Sequence, residues 1–298
     1  MMENDPETRT LSGEEARELR EAVDRARSRA FLIVIRGPRE GRLFRLDQPV
    51  TRIGRAIDCE VRIDDVGVSR NHAVIERRDR RLVVVDQGSR NGTYVDGVRV
   101  TEMALEDGHR IQLSGVILKV TYQDPLEEDF QRRIYRSVTR DGLTGAYNKE
   151  YFAERLKSSF ALAERHESPL SIVTFDLDHF KNLNDRFGHP AGDHVLRQVS
   201  KVVQSTLRSE DILARCGGEE FGLILQQTGP ETAREVAERL RLAIADHRFE
   251  WDGERMEVSA SVGVATLSPG VATPEALVQT ADQNLYRAKA GGRNRTVS

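Results

Sequence analysis

The sequence predicts two unlike domains in one chain, an all-β sandwich followed by an α/β domain. Three observations carry that prediction. The length, 298 residues, suits two domains at ~150 residues each. Between residues 31 and 123, short β-branched and aromatic runs are punctuated by Gly, Asp, Asn and Pro, with no helical period between them. From residue 141 onward, helical and strand-like periods alternate.

Composition excludes several classes. Net charge is −3, with 31% charged and 38% hydrophobic residues, so no global nucleic-acid footprint exists and a soluble globular protein is expected. No run of 18 apolar residues occurs, so no membrane span is expected. The start, Met1 to Glu7, is acidic and lacks a signal peptide's apolar stretch. Cys59 and Cys216 fall in different predicted domains and outside any metal-ligand spacing. A disulfide framework is not expected, and a reducing cytoplasm is the simplest compartment.

Taken in order, residues 1–12 read as a disordered tail with Pro6, Thr8 and Thr10. Residues 13–30 read as a helix of strong formers with Glu/Arg pairs at helical spacing. Strand candidates follow at Phe31–Ile35, Leu43–Leu46, His72–Glu76, Leu82–Val85, Thr93–Val95 and Val116–Val120. Residues 124–140 read as a linker helix that Pro125 starts. Its apolar residues Leu126, Phe130, Ile134 and Val138 recur every four positions. That stripe either pairs two chains or packs on its own neighbour. Beyond it, helices are expected over 149–166, 193–208, 231–247 and 274–290. Strands are expected over Leu170–Phe175, on both sides of Gly217-Gly218, and over Val258–Ala265.

The chemistry concentrates at Gly217-Gly218-Glu219-Glu220-Phe221. Two strand-like runs joined through Gly-Gly predict a tight hairpin, with glycine supplying positive φ. Two adjacent acids after the turn repel, and a divalent cation relieves the repulsion. Asp176, at the end of a predicted strand, is a second oxygen ligand from a separate segment. Asp193 follows the loop Gly188-His189-Pro190-Ala191-Gly192 and, taken alone, reads equally well as a helix N-cap. Lys289 and Arg293 lie four residues apart at a helix C-terminus, where they either bind phosphate or complement the helix dipole.

Together these segments resemble the GGDEF-domain diguanylate cyclases. The resemblance runs through Asp141-Gly-Leu-Thr-Gly-Ala-Tyr-Asn148, Asp176 to Asp185, Phe187 to Asp193, Gly217 to Phe221, Ser261 to Val264 and Ala281 to Asn294, over about residues 138–298. It implies an α/β palm-like nucleotidyl-cyclase domain over 141–298, working as a homodimer that condenses two GTP into cyclic di-GMP and two pyrophosphates with Mg²⁺ or Mn²⁺. It implies Asp176, Glu219 and the Leu177 carbonyl as metal ligands, with Glu220 supporting metal or hydroxyl activation. Asn184 and Asp193 are implied to read guanine, and Gly217 and Gly218 to admit the α-phosphate. Phe180 is implied in substrate binding, and Lys181, Lys289 and Arg293 at the outer phosphates. Arg208 and Asp211, five residues before Gly217, resemble the family's product-inhibition site, with Arg239 a third contributor. Unaided, Arg-x-x-Asp is also an ordinary solvated helix end.

Residues 31–123 resemble the forkhead-associated (FHA) family in three loop clusters: Gly54-Arg55, Ser69-Arg70-Asn71-His72 and Asp86 to Thr93. The resemblance implies a phosphothreonine-binding sandwich. Arg55, Ser69 and Arg70 hold the phosphate, and Arg90 and Asn91 hold the peptide or phosphate. His72 is expected to tie down the loop beneath Ser69. Turn chemistry, with Gly and Asn at positive φ, accounts for Gly54, Asn91 and Gly92 but not for the arginines. Thr8 and Thr10 are candidate phosphorylation sites for that face, in cis or across a dimer. The competing reading is a non-catalytic cyclic di-GMP effector and phosphoprotein adaptor. Neither reading involves nucleic acid or a membrane.

Overall fold

A computed structural model describes residues 29–79 and 81–298. The expected tail, nearly all of the expected first helix, Thr8 and Thr10 lie outside the described residues. The chain divides into two compact units between Tyr135 and Arg136, each taken here by itself.

The first unit is a β-sandwich. Its strands are β1 (Ala30–Arg36), β2 (Leu43–Arg45), β3 (Val50–Gly54), β4 (Val61–Arg62), β5 (Ala73–Arg78), β6 (Arg81–Asp86), β7 (Thr93–Val95), β8 (Val98–Val100), β9 (Glu102–Leu105), β10 (Arg110–Leu113) and β11 (Val116–Tyr122). One sheet runs β2-β1-β11-β10-β7-β8 and the other β4-β3-β5-β6-β9. Alternating side chains from both sheets meet in one core containing Leu32, Ile53, Ile75, Val84, Ile111 and Leu118. All six expected strands are present. Five more, β3, β4, β8, β9 and β10, are short and rich in charged or polar residues. Each offers only one to three aliphatic residues to a pattern search.

Helix α1 (Pro125–Thr139) follows. Asp124 Oδ1 accepts from the N–H groups of Leu126 and Glu127 at 2.7 and 2.8 Å, and Glu127 accepts from the Asp124 N–H at 3.3 Å. This reciprocal box fixes the helix start. The apolar stripe is exposed: Leu126 72%, Phe130 56%, Ile134 42% and Val138 67%. Among the described residues, no packing covers it.

The second unit continues with α2 (Lys149–His166), β12 (Leu170–Leu177), α3 (Phe180–Phe187), α4 (His189–Thr206), β13 (Ile212–Arg215), β14 (Glu220–Gln226), α5 (Pro230–Asp246), β15 (Phe249–Trp251), β16 (Glu254–Met256), β17 (Ala260–Thr266), α6 (Pro274–Ala290) and β18 (Thr296–Val297). The main sheet runs β13-β14-β12-β17-β18, antiparallel except for its last pair. Phe175, Val195, Leu223 and Leu240 share one core with α4 and α5. Phe152, Ile172, Ile224 and Leu277 form the other with α2 and α6. The sheet is thus covered on both faces, and its strand ends carry the acids.

Helix α4 starts four residues earlier than the period suggests. Gly188, at φ 84°, makes the break after α3, and Pro190 suits the first turn. Asp193 therefore lies inside the helix and caps nothing. Helix α6 approaches β17 so closely at Gly263 that an added Cβ would stand 2.1 Å from the Ala281 carbonyl oxygen and 2.3 Å from the Leu285 nitrogen. Gly263→Ala is expected to cost roughly 1–3 kcal/mol by forcing helix and sheet apart, read as a lower urea midpoint for the second unit.

Candidate active site

The antiparallel pairing of β12 with β14 sets Asp176 directly opposite Glu220. Paired residues project to one face, so the two carboxylates share it. Leu177 donates its N–H to the Glu219 carbonyl at 3.4 Å, which brings the Glu-Glu step against the end of β12. From α6, Lys289 Nζ reaches Asp176 Oδ2 at 2.8 Å. Asp176 is buried, and burial raises its pKa. Lys289 pulls it down, while Glu220 and Asp178 push it further up.

The turn itself, Cys216 to Glu219, differs from expectation. Neither Gly217 nor Gly218 adopts positive φ. Four residues separate β13 from β14, so the chain reverses without the two-residue turn that demands it. Glycine matters here for space. A Cβ on Gly217 would stand 2.5 Å from Glu220 Oε2, whereas Gly218 has no heavy atom within 4 Å of its Cβ position. The backbone at Gly218 is open to a ligand.

A residue that sequence reasoning missed holds this turn. Arg215 donates from Nε to the carbonyls of Gly217 at 3.1 Å and Gly218 at 2.9 Å, and from Nη2 to Gly218 at 2.7 Å. Its Nη1 reaches Asp141 at 3.2 Å. The signal was an arginine two residues before the glycine pair and an Asp in the segment that opens the domain.

The remaining expected residues fall as follows. Phe180, buried, opens α3, with Lys181 exposed beside it. Asn184 lies over Gly192, where a Cβ would stand 1.9 Å from Asn184 Oδ1. That oxygen is buried and has no donor among the described residues, so it is an acceptor open to a ligand. Asp193 is half-exposed, with Arg197 at 4.0 Å. A cleft of about 540 Å³ opens beside Lys289, walled by Phe152, Leu156, Thr174, Glu220 and Asp282. Arg293 is exposed just past α6.

Arg208, Asp211 and Arg239 lie near one another at the far end of β13. Asp211 is buried and accepts from the Arg208 N–H at 2.9 Å. Burial raises its pKa, and the charges of Arg208 and Arg239 lower it. Arg239 Nη2 also donates to the Thr206 carbonyl at 2.8 Å. Asp211 thus has a folding role whatever else it binds.

Among the described residues, no three His, Cys, Asp or Glu side chains cluster to hold a metal ion. Asp176 and the Glu-Glu step nonetheless offer hard oxygen donors whose mutual repulsion a divalent cation would relieve. This donor set fits Mg²⁺ or Mn²⁺ completed by ligand phosphates.

In the sandwich, Ser69 Oγ accepts from the Arg90 N–H at 3.1 Å, and Asn91 donates to the Gly67 carbonyl at 2.7 Å. Arg55 Nε points to the Val68 carbonyl at 3.4 Å, and Arg70 is exposed beside Ser69. His72 is fully buried. Its Nδ1 accepts from the Ser69 N–H at 3.0 Å, and its Nε2 meets the Gly92 carbonyl at 3.2 Å. Of the three residues expected at positive φ, only Gly92 adopts it. Gly54 is needed instead for close approach, since a Cβ there would meet the Arg70 carbonyl oxygen at 2.1 Å.

The family model for the diguanylate cyclase GGDEF domain matches residues 138–295, more than half of the chain. The chain belongs to the GGDEF family. An FHA-domain model matches residues 51–114. Diguanylate cyclase DgcP of Pseudomonas aeruginosa is 43% identical over 155 residues, covering 52% of this chain and 23% of DgcP. Diguanylate cyclase A of Treponema denticola is 38% identical over 169 residues, covering 55% of this chain and 45% of that protein. The chain therefore spans less than half the length of each. The GGDEF domain of DgcB from Caulobacter crescentus, solved in complex with c-di-GMP, superposes with a TM-score of 0.52 at 32% identity. That match covers 54% of this chain and 92% of the DgcB domain. No described helix is long and apolar enough to cross a membrane.

Two titrations follow from the environments described. Burial is the main cause that pushes the Cys216 thiol up to about 12, with Glu220 adding to it. At pH 8, iodoacetamide should therefore label Cys216 far more slowly than it labels a free thiol, as read by intact-mass kinetics. His72 is held below its ordinary 6.5, chiefly by burial, against the Gly92 carbonyl and Asp86. The unfolded chain then takes up that proton first. Stability of the sandwich should be full above pH 6.5 and fall as pH drops below it, as read by urea titration followed through sandwich methyl signals.

Proposed function

We propose that this GGDEF-family chain is a diguanylate cyclase that condenses two GTP into cyclic di-GMP and two pyrophosphates. The reading is supported chiefly by the Asp176–Lys289 pair standing opposite the Glu219-Glu220 step. In that arrangement, hard carboxylate oxygens and an ammonium stand within one hydrogen bond of each other. Asp176, Glu219 and the Leu177 carbonyl hold Mg²⁺ or Mn²⁺, and Glu220 supports the metal or the attacking hydroxyl. When bound, the cation would neutralise phosphate charge and lower the pKa of the 3′-hydroxyl. On binding, Lys289 exchanges Asp176 for phosphate, joined by Lys181 and Arg293. The open backbone at Gly218, with Gly217 beside it, receives the α-phosphate.

Guanine is read by Asn184 and Asp193, next to Phe180. The unfilled Asn184 Oδ1 and the Asp193 carboxylate accept from the base N1–H and amino group. Adenine has no N1–H and carries its amino group at C6 rather than C2, so it leaves these acceptors unpaired, which discriminates strongly. The 3′-oxygen of each GTP attacks the α-phosphorus of the other, and each α–β phosphoanhydride bond breaks to release pyrophosphate. One domain holds one GTP, so turnover needs two domains face to face. The exposed α1 stripe pairs the two chains for that purpose.

Two controls act on this pairing. Arg208, Asp211 and Arg239 bind the cyclic product and slow turnover. Arg55, Ser69, Arg70, Arg90 and Asn91 bind a phosphothreonine segment, either a partner's or the chain's own at Thr8 or Thr10.

Purified chain incubated with GTP and Mg²⁺ should yield cyclic di-GMP by mass. Glu220→Gln should lower the rate at least ~100-fold, the scale expected for a group that acts on the reacting atoms, with an unchanged melting temperature. No product at high protein concentration, with and without phosphothreonine peptide, would overturn the enzyme reading.

A further inference from the structure

Asp178, two residues beyond Asp176, is nine-tenths buried, yet the chemistry proposed above gives it no role. Its backbone N–H donates to the Ser259 carbonyl at 2.9 Å. Its carboxylate collects three donors. Ser261 Oγ reaches Oδ1 at 2.7 Å, Ser259 Oγ reaches Oδ2 at 2.7 Å, and the Asn294 N–H reaches Oδ2 at 3.0 Å. The third donor crosses 116 residues of sequence to the segment that follows α6.

That segment needs an anchor. Arg293 and Asn294 are consecutive non-glycine residues in the left-handed region, at φ 63° and 42°. L-residues adopt that conformation in series only when their surroundings impose it. The Arg293 N–H is held by the Ala288 carbonyl at 3.1 Å, and the Asn294 side chain by Arg241 Nη1 at 2.6 Å. One residue later the Val262 N–H donates to the Arg295 carbonyl at 2.9 Å, and Thr296 joins the sheet beside Val262. The Asp178 bond comes at the residue directly after Arg293. It ties this turn to the strand end that carries Asp176.

We propose that Asp178 is a positioning residue, whose carboxylate holds the Arg293–Asn294 turn so that Arg293 meets the outer phosphates of bound GTP. The inference rests on the GTP reading given above. Asp178 is committed to three hydrogen bonds and acts through Arg293, with no contact of its own to nucleotide. Asparagine at 178 can turn its oxygen to Ser259 and Asn294 and its NH₂ to the Ser261 hydroxyl, which also accepts, so it keeps the turn, whereas alanine removes the acceptor altogether. With alanine the turn is released and the outer phosphates lose Arg293, while the guanine and α-phosphate contacts persist.

The test compares two ligands by calorimetry on the full chain in Mg²⁺. One is α,β-methylene-GTP, which cannot release pyrophosphate, and the other is GMP, which has no outer phosphates. Asp178→Ala should weaken the triphosphate analogue about tenfold, the scale of one charge-assisted hydrogen bond, and leave GMP within about twofold, with Asp178→Asn close to the unaltered chain. Arg293→Ala should show the same selective loss as Asp178→Ala, and the double variant should bind no worse than Arg293→Ala alone. Asp178→Ser withdraws both carboxylate oxygens yet leaves a hydroxyl for the neighbouring serines, so it should reproduce the selective loss even if Asp178→Ala does not fold. Equal losses for both ligands, or losses that add fully to Arg293→Ala, would assign Asp178 to the core and overturn the inference. If the unaltered chain binds neither nucleotide, the GTP reading falls and the inference with it. If it binds both and only Arg293→Ala is selective, the inference alone falls.

Discussion

The guanidinium of Arg215 is the point on which the C-terminal half of this chain depends. Its planar fork holds both carbonyls of the glycine pair and, on its other edge, the Asp141 carboxylate. Asp141 also accepts from Thr144, through both its N–H and its hydroxyl. Tyr147 then bridges to Ala214 on β13 and lies under the Arg140 guanidinium. The C-terminal end of α1, the first turn of the domain and the acid-bearing hairpin are therefore one hydrogen-bonded piece. A network of this kind is stiff because each member fixes the next. Arginine suits the position because one rigid group supplies all the donors, which a lysine ammonium on a flexible stem does not.

The candidate sites of the two units are built in similar physical terms. Each gathers cationic side chains beside a backbone that closes up around a glycine. Gly54 lets β3 approach the Arg70 carbonyl, and Gly192 lets α4 lie beneath Asn184. In neither case is left-handed backbone the reason for glycine. Both sites also bury a polar group beneath the contact layer: His72 under Ser69 in one, Asp178 under the strand end in the other.

The sequence disclosed most where composition and period agree. The long helices, the β12 and β17 strands and the two-domain plan follow from apolar spacing alone. The acid pair after Gly-Gly was legible because folding does not require it. Other features were hidden for identifiable reasons. Strands β8 to β10 expose alternate charged residues and offer too few apolar ones to register. The start of α4 was misplaced because Gly188 and Pro190 read as a loop, although Pro190 belongs to the first turn. Asp178 was invisible because its side-chain partners lie 81, 83 and 116 residues away, and the link from Arg215 to Asp141 spans 74. No local pattern marks a bond of that span.

The spacing of the apolar stripe on α1 carries a geometric consequence. Four residues advance a helix by about 400°, so successive members rotate by about 40° around the axis. From Leu126 to Val138 the stripe turns through about a third of a circle. A straight antiparallel or parallel neighbour can touch its upper half or its lower half, but reaches both only by wrapping right-handed around it. A helix of this kind has more than one way to seat a partner, and the alternatives differ by a twist. The last member of the stripe, Val138, accepts on its carbonyl from Asn148 Nδ2 at 2.7 Å, so the foot of the stripe belongs to the same hydrogen-bonded piece as the glycine turn.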